Sequence, residues 1–423
     1  MKKIICSLLI AIIGFHQTFA QAPKIRKSKL LQEWNKIDKF KLKIENAFPE
    51  MGLSAALIYK GKLISEKNWG YAQPKRRLPM GKKVIYNWGN ISKVLTSIAI
   101  LQLVEKGKLK IEDPITKYIP EIKRAAQKNP RLYQVKIHQL IHHASGLNWK
   151  VVQDSLDKRY PAKKFKQLAE AARPFLQYLT TQDKKKNIRK KNIRSAFMHH
   201  QQSNGDYMLL GIVIEQITGQ QFSKYVQQHI FDPLDMPTAH YGGTLENQQK
   251  YQSIDLFKVP DIFQLEPGNS RNAASRGFKS SSEDMLKLLA LLSFKKRKKH
   301  SRKQQKVLSF ETIQHYYHNI NLEQPGNHYL KYGANHQGGV LSAFGLLYII
   351  DKSTKSRTIM LFNTNKQHFT TWALRTDAPL SSFLVVNVPK SNNRREEEIL
   401  IIFLPKLSAF VITGKLGKIP DLD

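Results

Sequence analysis

Hydrophobic and polar positions change period several times along the chain, and each change predicts an element. Residues 21–47 are Lys-rich and carry Leu, Trp, Ile and Phe at roughly helical spacing, which predicts an amphipathic N-terminal helix. Gly52–Tyr59 and Leu63–Trp69 are β-like runs on either side of Lys60-Gly61-Lys62, the pattern of a hairpin. Between Ser92 and Glu105 the apolar residues Val94, Leu95, Ile98, Ala99, Leu101 and Leu103 share one broad helical face, and Gly107 is placed to end that helix. Residues 110–270 read mainly helical with loops. Gly345–Ile350 and Arg357–Phe362 flank the polar stretch Asp351–Ser356 and predict a second hairpin. Strands, then helices, then strands predicts a mixed α/β fold: an antiparallel sheet built from both ends of the chain, flanked by helices, with a mainly helical lobe inserted at about 110–270.

The N-terminus sets the compartment. Lys2 and Lys3 precede an apolar run from Ile4 to Phe15, and Thr18-Phe19-Ala20 offers a small-residue cleavage site, the order of a Sec-type signal peptide over 1–20. The run is short for a membrane span. These features predict an exported protein, periplasmic or secreted. Cys6, the only cysteine, lies inside this segment, so a chain cleaved there has no disulfide, thiol nucleophile or cysteine metal site.

Composition adds one unusual feature. At 41% hydrophobic and 24% charged, the 423-residue chain is neither disordered nor fibrous, but its net charge is +37. Removing Lys2 and Lys3 with the leader lowers that by only two. So basic a surface attracts polyanions, or reflects an evenly basic exterior without a specific partner. Export favours an anionic envelope polymer or lipid surface over nucleic acid. Two runs concentrate the charge, Lys184–Lys191 and Lys295–Lys303, each readable as a solvated loop or as an anion-binding segment.

Candidate chemistry is sparse. His142-His143 and His199-His200 are adjacent residues, which point apart on a helix, so neither pair has metal spacing, and no cofactor loop is present. There is no Gly-x-Ser-x-Gly elbow. What stands out is a helix start, Asn90-Ile91-Ser92-Lys93, in which side chains 90 and 93 share a face. Read alone, this is a helix with an Asn cap.

The surrounding sequence changes that reading. Val84–Gly107, followed by Lys108–Pro120, resembles the Ser-x-x-Lys helix of the serine β-lactamase and penicillin-binding-protein superfamily, especially its class C, D-peptidase and esterase branch. The resemblance continues through Leu140–Leu147, Gln202-Ser203-Asn204 with the following Tyr207–Gly211, Phe231–Met236, Gly277–Asp284 and His336-Gln337-Gly338-Gly339. These motifs stand in family order over residues 50–365. The resemblance implies a β-lactamase/transpeptidase-like domain over 21–370, with the active site between sheet and helical lobe. Residues 371–423 do not resemble the family's closing helix, and Ser382–Val388 and Glu398–Leu404 look like extra strands of a divergent extension.

The chemistry the resemblance implies is acyl transfer. A serine at the helix start attacks an ester or amide carbonyl, the lysine one turn on handles its proton, a Tyr-x-Asn motif assists, and backbone N–H groups stabilise the oxyanion. Lys93, Asn204, His336 and Gly338 match that pattern. Asn90 stands at the nucleophile position and Gln202 at the tyrosine position. A carboxamide cannot form the acyl-enzyme, and Ser92, about 200° round the helix from Asn90, faces elsewhere. Three readings follow. The chain is a pseudoenzyme whose cleft still binds a peptide-like or acyl ligand, an active hydrolase of unconventional mechanism, or a basic anion-binding envelope protein using the fold as scaffold.

Overall fold

The computed structural model describes residues 26–38, 52–60, 62–73, 77–147, 203–241, 252–253, 273–293, 301–318, 329–332, 338–343, 346–351, 356–364, 368–375 and 380–387, with residues 168, 170 and 176 singly. The leader 1–20, the Lys184–Lys191 run, Lys295–His300 and Glu398–Leu404 lie outside the described residues.

Helix α1 (Lys27–Asn35) buries Leu30 and Trp34, and the Trp34 indole donates to Ser65 Oγ at 3.0 Å. The hairpin expected from the sequence follows as β1 (Gly52–Tyr59) and β2 (Lys62–Gln73), antiparallel from Gly52↔Gly70 to Tyr59↔Lys62. Glycine is required at the start of β1, because a Cβ at Gly52 would stand 2.2 Å from the Tyr71 carbonyl oxygen. Short strands β3 (Leu78–Pro79) and β4 (Val84–Asn87) lead to α2 (Ser92–Glu105). Next come α3 (Pro120–Lys128), α4 (Ile137–Ile141), α5 (Asn204–Thr218) and α6 (Phe222–Val226). The chain continues through β5 (His240–Tyr241), β6 (Gln252–Ser253), α7 (Ala273–Arg276), β7 (Phe278–Ser281), α8 (Ser282–Ser293) and α9 (Arg302–Val307). Six strands follow: β8 (Tyr329–Tyr332), β9 (Gly338–Ala343), β10 (Leu346–Asp351), β11 (Ser356–Thr364), β12 (His368–Arg375) and β13 (Leu380–Asn387).

Both ends of the chain build one antiparallel sheet, as expected. Its nine strands run β3-β2-β1-β13-β12-β11-β10-β9-β8. The first long strand pairs with the last described one, from Gly52↔Asn387 to Tyr59↔Leu380. The boundary expected at 370 falls inside β12, and the strand read over Ser382–Val388 is β13, which joins the N-terminal hairpin to the rest of the sheet. The described residues of 110–270 are mainly helical but also supply β5 and β6 to a second, four-stranded sheet ordered β5-β7-β4-β6.

The central helix is more deeply set than one apolar face implies. Every residue of α2 from Ser92 to Leu103 is buried, because α5, α6 and α7 pack around it. A helix covered on all sides carries apolar residues all round, and the polar positions it keeps must find partners inside the protein. Thr96 Oγ1 donates to the Ala274 carbonyl at 2.6 Å, tying α7 to α2. Gly211 lets α5 approach α7: a Cβ there would meet Leu168 Cδ1 at 2.5 Å and Ala274 Cβ at 2.8 Å.

Candidate active site

The site is built around the turn that feeds α2. Trp88 is fixed to β7 by its indole N–H, donating to Ser280 Oγ at 2.8 Å, and by its backbone N–H, donating to the Phe278 carbonyl at 3.0 Å. Gly89 adopts φ +53°, and its N–H is accepted by Asn87 Oδ1 at 2.9 Å. This is a local side-chain turn, and Asn90 does not cap α2 as its sequence pattern suggested: Ile91 occupies the N-cap with no side-chain cap. Asn90 lies in a single 3₁₀ turn, Gly89–Ile91, immediately before α2. The reason is local: the left-handed Gly89 turns the chain so that the side chain two residues upstream reaches its N–H.

Asn90 meets Lys93, whose Nζ donates to Asn90 Oδ1 at 2.7 Å. The convergence expected from the i, i+3 spacing is present. Ser92 faces elsewhere, as expected: its hydroxyl donates to the Gly89 carbonyl at 2.7 Å and accepts from Phe278 N–H at 2.9 Å.

Lys93 is fully buried, with its Nζ 5.9 Å from the centre of the Tyr207 ring. Burial, reinforced by the positive charge of Arg276, holds its pKa well below the ordinary lysine value. Lowering the pKa of a buried lysine favours the uncharged amine, the form able to take a proton from a neighbouring hydroxyl.

His143 also packs on Tyr207, with ring centres 5.1 Å apart. It ends α4 in the left-handed region at φ +56°, a conformation uncommon for residues other than glycine. The Ser203 N–H donates to His143 Nδ1 at 3.1 Å, which places the ring proton on Nε2. Burial first, then the charges of Lys93 and His142, push its pKa well below the ordinary histidine value, so the ring is neutral near pH 7. Nε2 is buried with no hydrogen-bond partner among the described residues.

Asn204 opens α5 directly after Ser203, whose hydroxyl caps the helix by accepting from Asp206 N–H at 3.0 Å. The Asp206 carboxylate accepts from Ser145 Oγ at 2.7 Å, so the Ser145-Gly146-Leu147 loop and the start of α5 are locked together. Asn204 Oδ1 is buried and has no partner among the described residues. Gly338 opens β9, and β11, two strands away, packs against the turn carrying Asn90. Gln202 and His336 lie outside the described residues.

The sequence reading singled out Asn90, Lys93, Gln202, Asn204, His336 and Gly338. His143, Tyr207 and Arg276 were not among them. The available signal was the His-Ala-Ser-Gly segment, but only the fold shows that His143 reaches Ser203 across the lobe.

A protein-family model described as Beta-lactamase matches residues 43–398. The chain belongs to the beta-lactamase family. Among curated relatives, the Teichoic acid D-alanine hydrolase of Staphylococcus aureus is 27% identical over 222 residues, covering 52% of this chain and 49% of that protein. The chain spans about half or less of the length of the curated relatives it matches. Two solved structures share the beta-lactamase fold. The octameric penicillin-binding protein homologue from Pyrococcus abyssi superposes with TM-score 0.60 at 20% identity, covering 84% of this chain and 74% of that one. FmtA from Staphylococcus aureus superposes with TM-score 0.59 at 18% identity, covering 96% of each chain.

Within this family fold the arrangement has a definite chemical capacity. A buried lysine, a neutral imidazole and two carboxamides supply hydrogen bonds, and none of these four is an acylating hydroxyl. Asn90 Oδ1 is already engaged as acceptor by Lys93, and an amide oxygen or nitrogen is a poor nucleophile at neutral pH.

Proposed function

We propose that this beta-lactamase-family chain is an exported pseudoenzyme that binds an acyl or peptide-like ligand without forming an acyl-enzyme. The observation that supports this reading is the 2.7 Å contact between Lys93 Nζ and Asn90 Oδ1, in keeping with the expectation from the sequence that Asn90 stands at the position of the family's serine. The site keeps groups that recognise amides and esters, Asn204 Oδ1 as acceptor and His143 Nε2–H as donor, and Asn90 in place of a serine leaves no hydroxyl at that position to be acylated. Export is supported by the leader-like N-terminus and by bacterial penicillin-binding and cell-envelope relatives.

A second reading is favoured by the relatives' names: a hydrolase in which another group attacks. One experiment separates the two. Wild type, Asn90→Ser and Asn90→Ser/Gln202→Tyr are compared on a panel of β-lactams, activated esters and D-alanyl esters. The pseudoenzyme reading expects wild type at the buffer rate, slow turnover or acylation in the single variant and a faster rate in the double. Wild-type turnover matching or exceeding the double variant would overturn it.

A further inference from the structure

Opposite the candidate site, the far end of α2 carries a different surface. Lys106 lies 13 residues after Lys93, about 20 Å along the helix axis. At this end Gln102, on the last buried turn, donates through Nε2 to the carbonyls of His229 at 2.9 Å and Val307 at 2.7 Å. That clasp draws the end of α9, with Lys306, against the end of α2, with Lys106 followed by Lys108, and the first turn of the six-residue α9 adds Arg302 and Lys303. All five basic side chains are exposed. Lys106 Nζ sits 5.9 Å from the centre of the Tyr225 ring, which holds it at the rim. Among the described residues none of the five is in an ion pair. The nearby Glu105 carboxylate is engaged by the Ser309 N–H at 2.9 Å.

We propose that this surface is a docking site for a linear polyanion, a polymer with repeated phosphodiester or carboxylate groups. Two segments distant in sequence bring their cations to one end of α2, where the helix dipole also favours Lys106 at the C-cap. Five cations without an ion pair among the described residues, on a chain of net charge +37, leave an excess that a partner of opposite sign completes. A membrane fits less well. Interfacial binding uses exposed Trp, Phe or Leu, whereas the exposed large hydrophobics among the described residues are Leu63 and Tyr133, neither on these elements. Single-stranded nucleic acid also fits less well, because it is held by stacking aromatics that this surface does not expose. The proposal does not depend on the acyl-site reading, since the two surfaces share no residue.

The test compares equal changes of charge at two places. Lys106→Glu/Lys108→Glu/Lys306→Glu alters the proposed surface, and Lys27→Glu/Lys29→Glu/Lys62→Glu, all exposed, alters the opposite part of the chain's sequence by the same amount. A Lys→Gln version of the first variant guards against misfolding caused by the added acids, and thermal melts check all three. Binding to inorganic polyphosphate and to polygalacturonate is titrated over a range of salt, with phosphatidylglycerol vesicles and single-stranded DNA in parallel. The surface variant should lose at least about tenfold in affinity for the polymers, and its log–log salt slope should fall by about 2, as counterion release predicts for three lost contacts. The control triple should lose less than about threefold. Equal losses in both triples would overturn the proposal and leave only diffuse charge. Capture by vesicles or DNA but by neither polymer would overturn the choice of partner.

Discussion

Lys93 and Glu215 are both buried, ionisable, and carried on helices that pack together, yet the fold treats them in opposite ways. The Glu215 carboxylate accepts from Leu168 N–H at 2.6 Å and from Phe222 N–H at 2.9 Å, two backbone donors that would otherwise be orphaned. Lys93 instead faces a carboxamide, an aromatic ring and the charge of Arg276, and the surroundings discourage its protonation. Close by, His143 Nε2 and Asn204 Oδ1 remain without partners among the described residues. Buried polar groups matched to fixed backbone partners build architecture. Groups held in place with capacity left over cost stability, and they persist where something else must bind.

The sharpest way to break this contrast is to remove Glu215. Glu215→Ala leaves two buried N–H groups unsatisfied and should cost about 3 kcal/mol in urea unfolding, with Glu215→Gln intermediate. A loss below about 1 kcal/mol would mean that the carboxylate is not structural. Gly211→Ala comes next, because the new methyl overlaps Leu168 and Ala274. Overpacking outweighs the gain in helix propensity, and the expected net loss is about 1–2 kcal/mol in the same assay.

Lys93→Met should act in the other direction. Unfolded, Lys93 holds its proton up to its ordinary pKa of 10.5; folded, it releases it lower. Between those values the unfolded chain binds more protons, so wild-type stability rises with pH across that window. The Met variant lacks this rise and should gain about 1 kcal/mol near pH 7. A variant less stable than wild type would place Lys93 with Glu215 as architecture. The smallest expected effect is at His143. Its folded pKa lies well below the ordinary 6.5, so stability falls as pH drops through 6.5 and the unfolded chain takes up the proton. His143→Asn, which tolerates the left-handed turn, should remove about 0.8 kcal/mol of that fall at about pH 6, read as a flatter acid limb in thermal melts.

The sequence made the two hairpins legible because alternation and turn residues are local signals. The Asn90–Lys93 pair was legible because i, i+3 spacing on a helix fixes which side chains meet. What stayed hidden depends on long-range pairing. Ser382–Val388 reads as a strand, but nothing in its own pattern says that β13, which contains most of it, joins Gly52–Tyr59. His143 looked like one of two adjacent histidines, because its role requires both a left-handed backbone and the Ser203 N–H from another segment. Asn90 does not cap the helix because a 3₁₀ turn led by the left-handed Gly89 precedes α2, a conformation that composition does not reveal.

The central claim is that the fold retains an acyl-transfer site from which the nucleophile is missing. Intact-mass spectrometry of the wild-type protein after incubation with penicillin and with an activated ester tests it most directly. The account predicts an unchanged mass under conditions in which Asn90→Ser acquires a covalent adduct at residue 90. A wild-type adduct mapped to any residue of the cleft would contradict it.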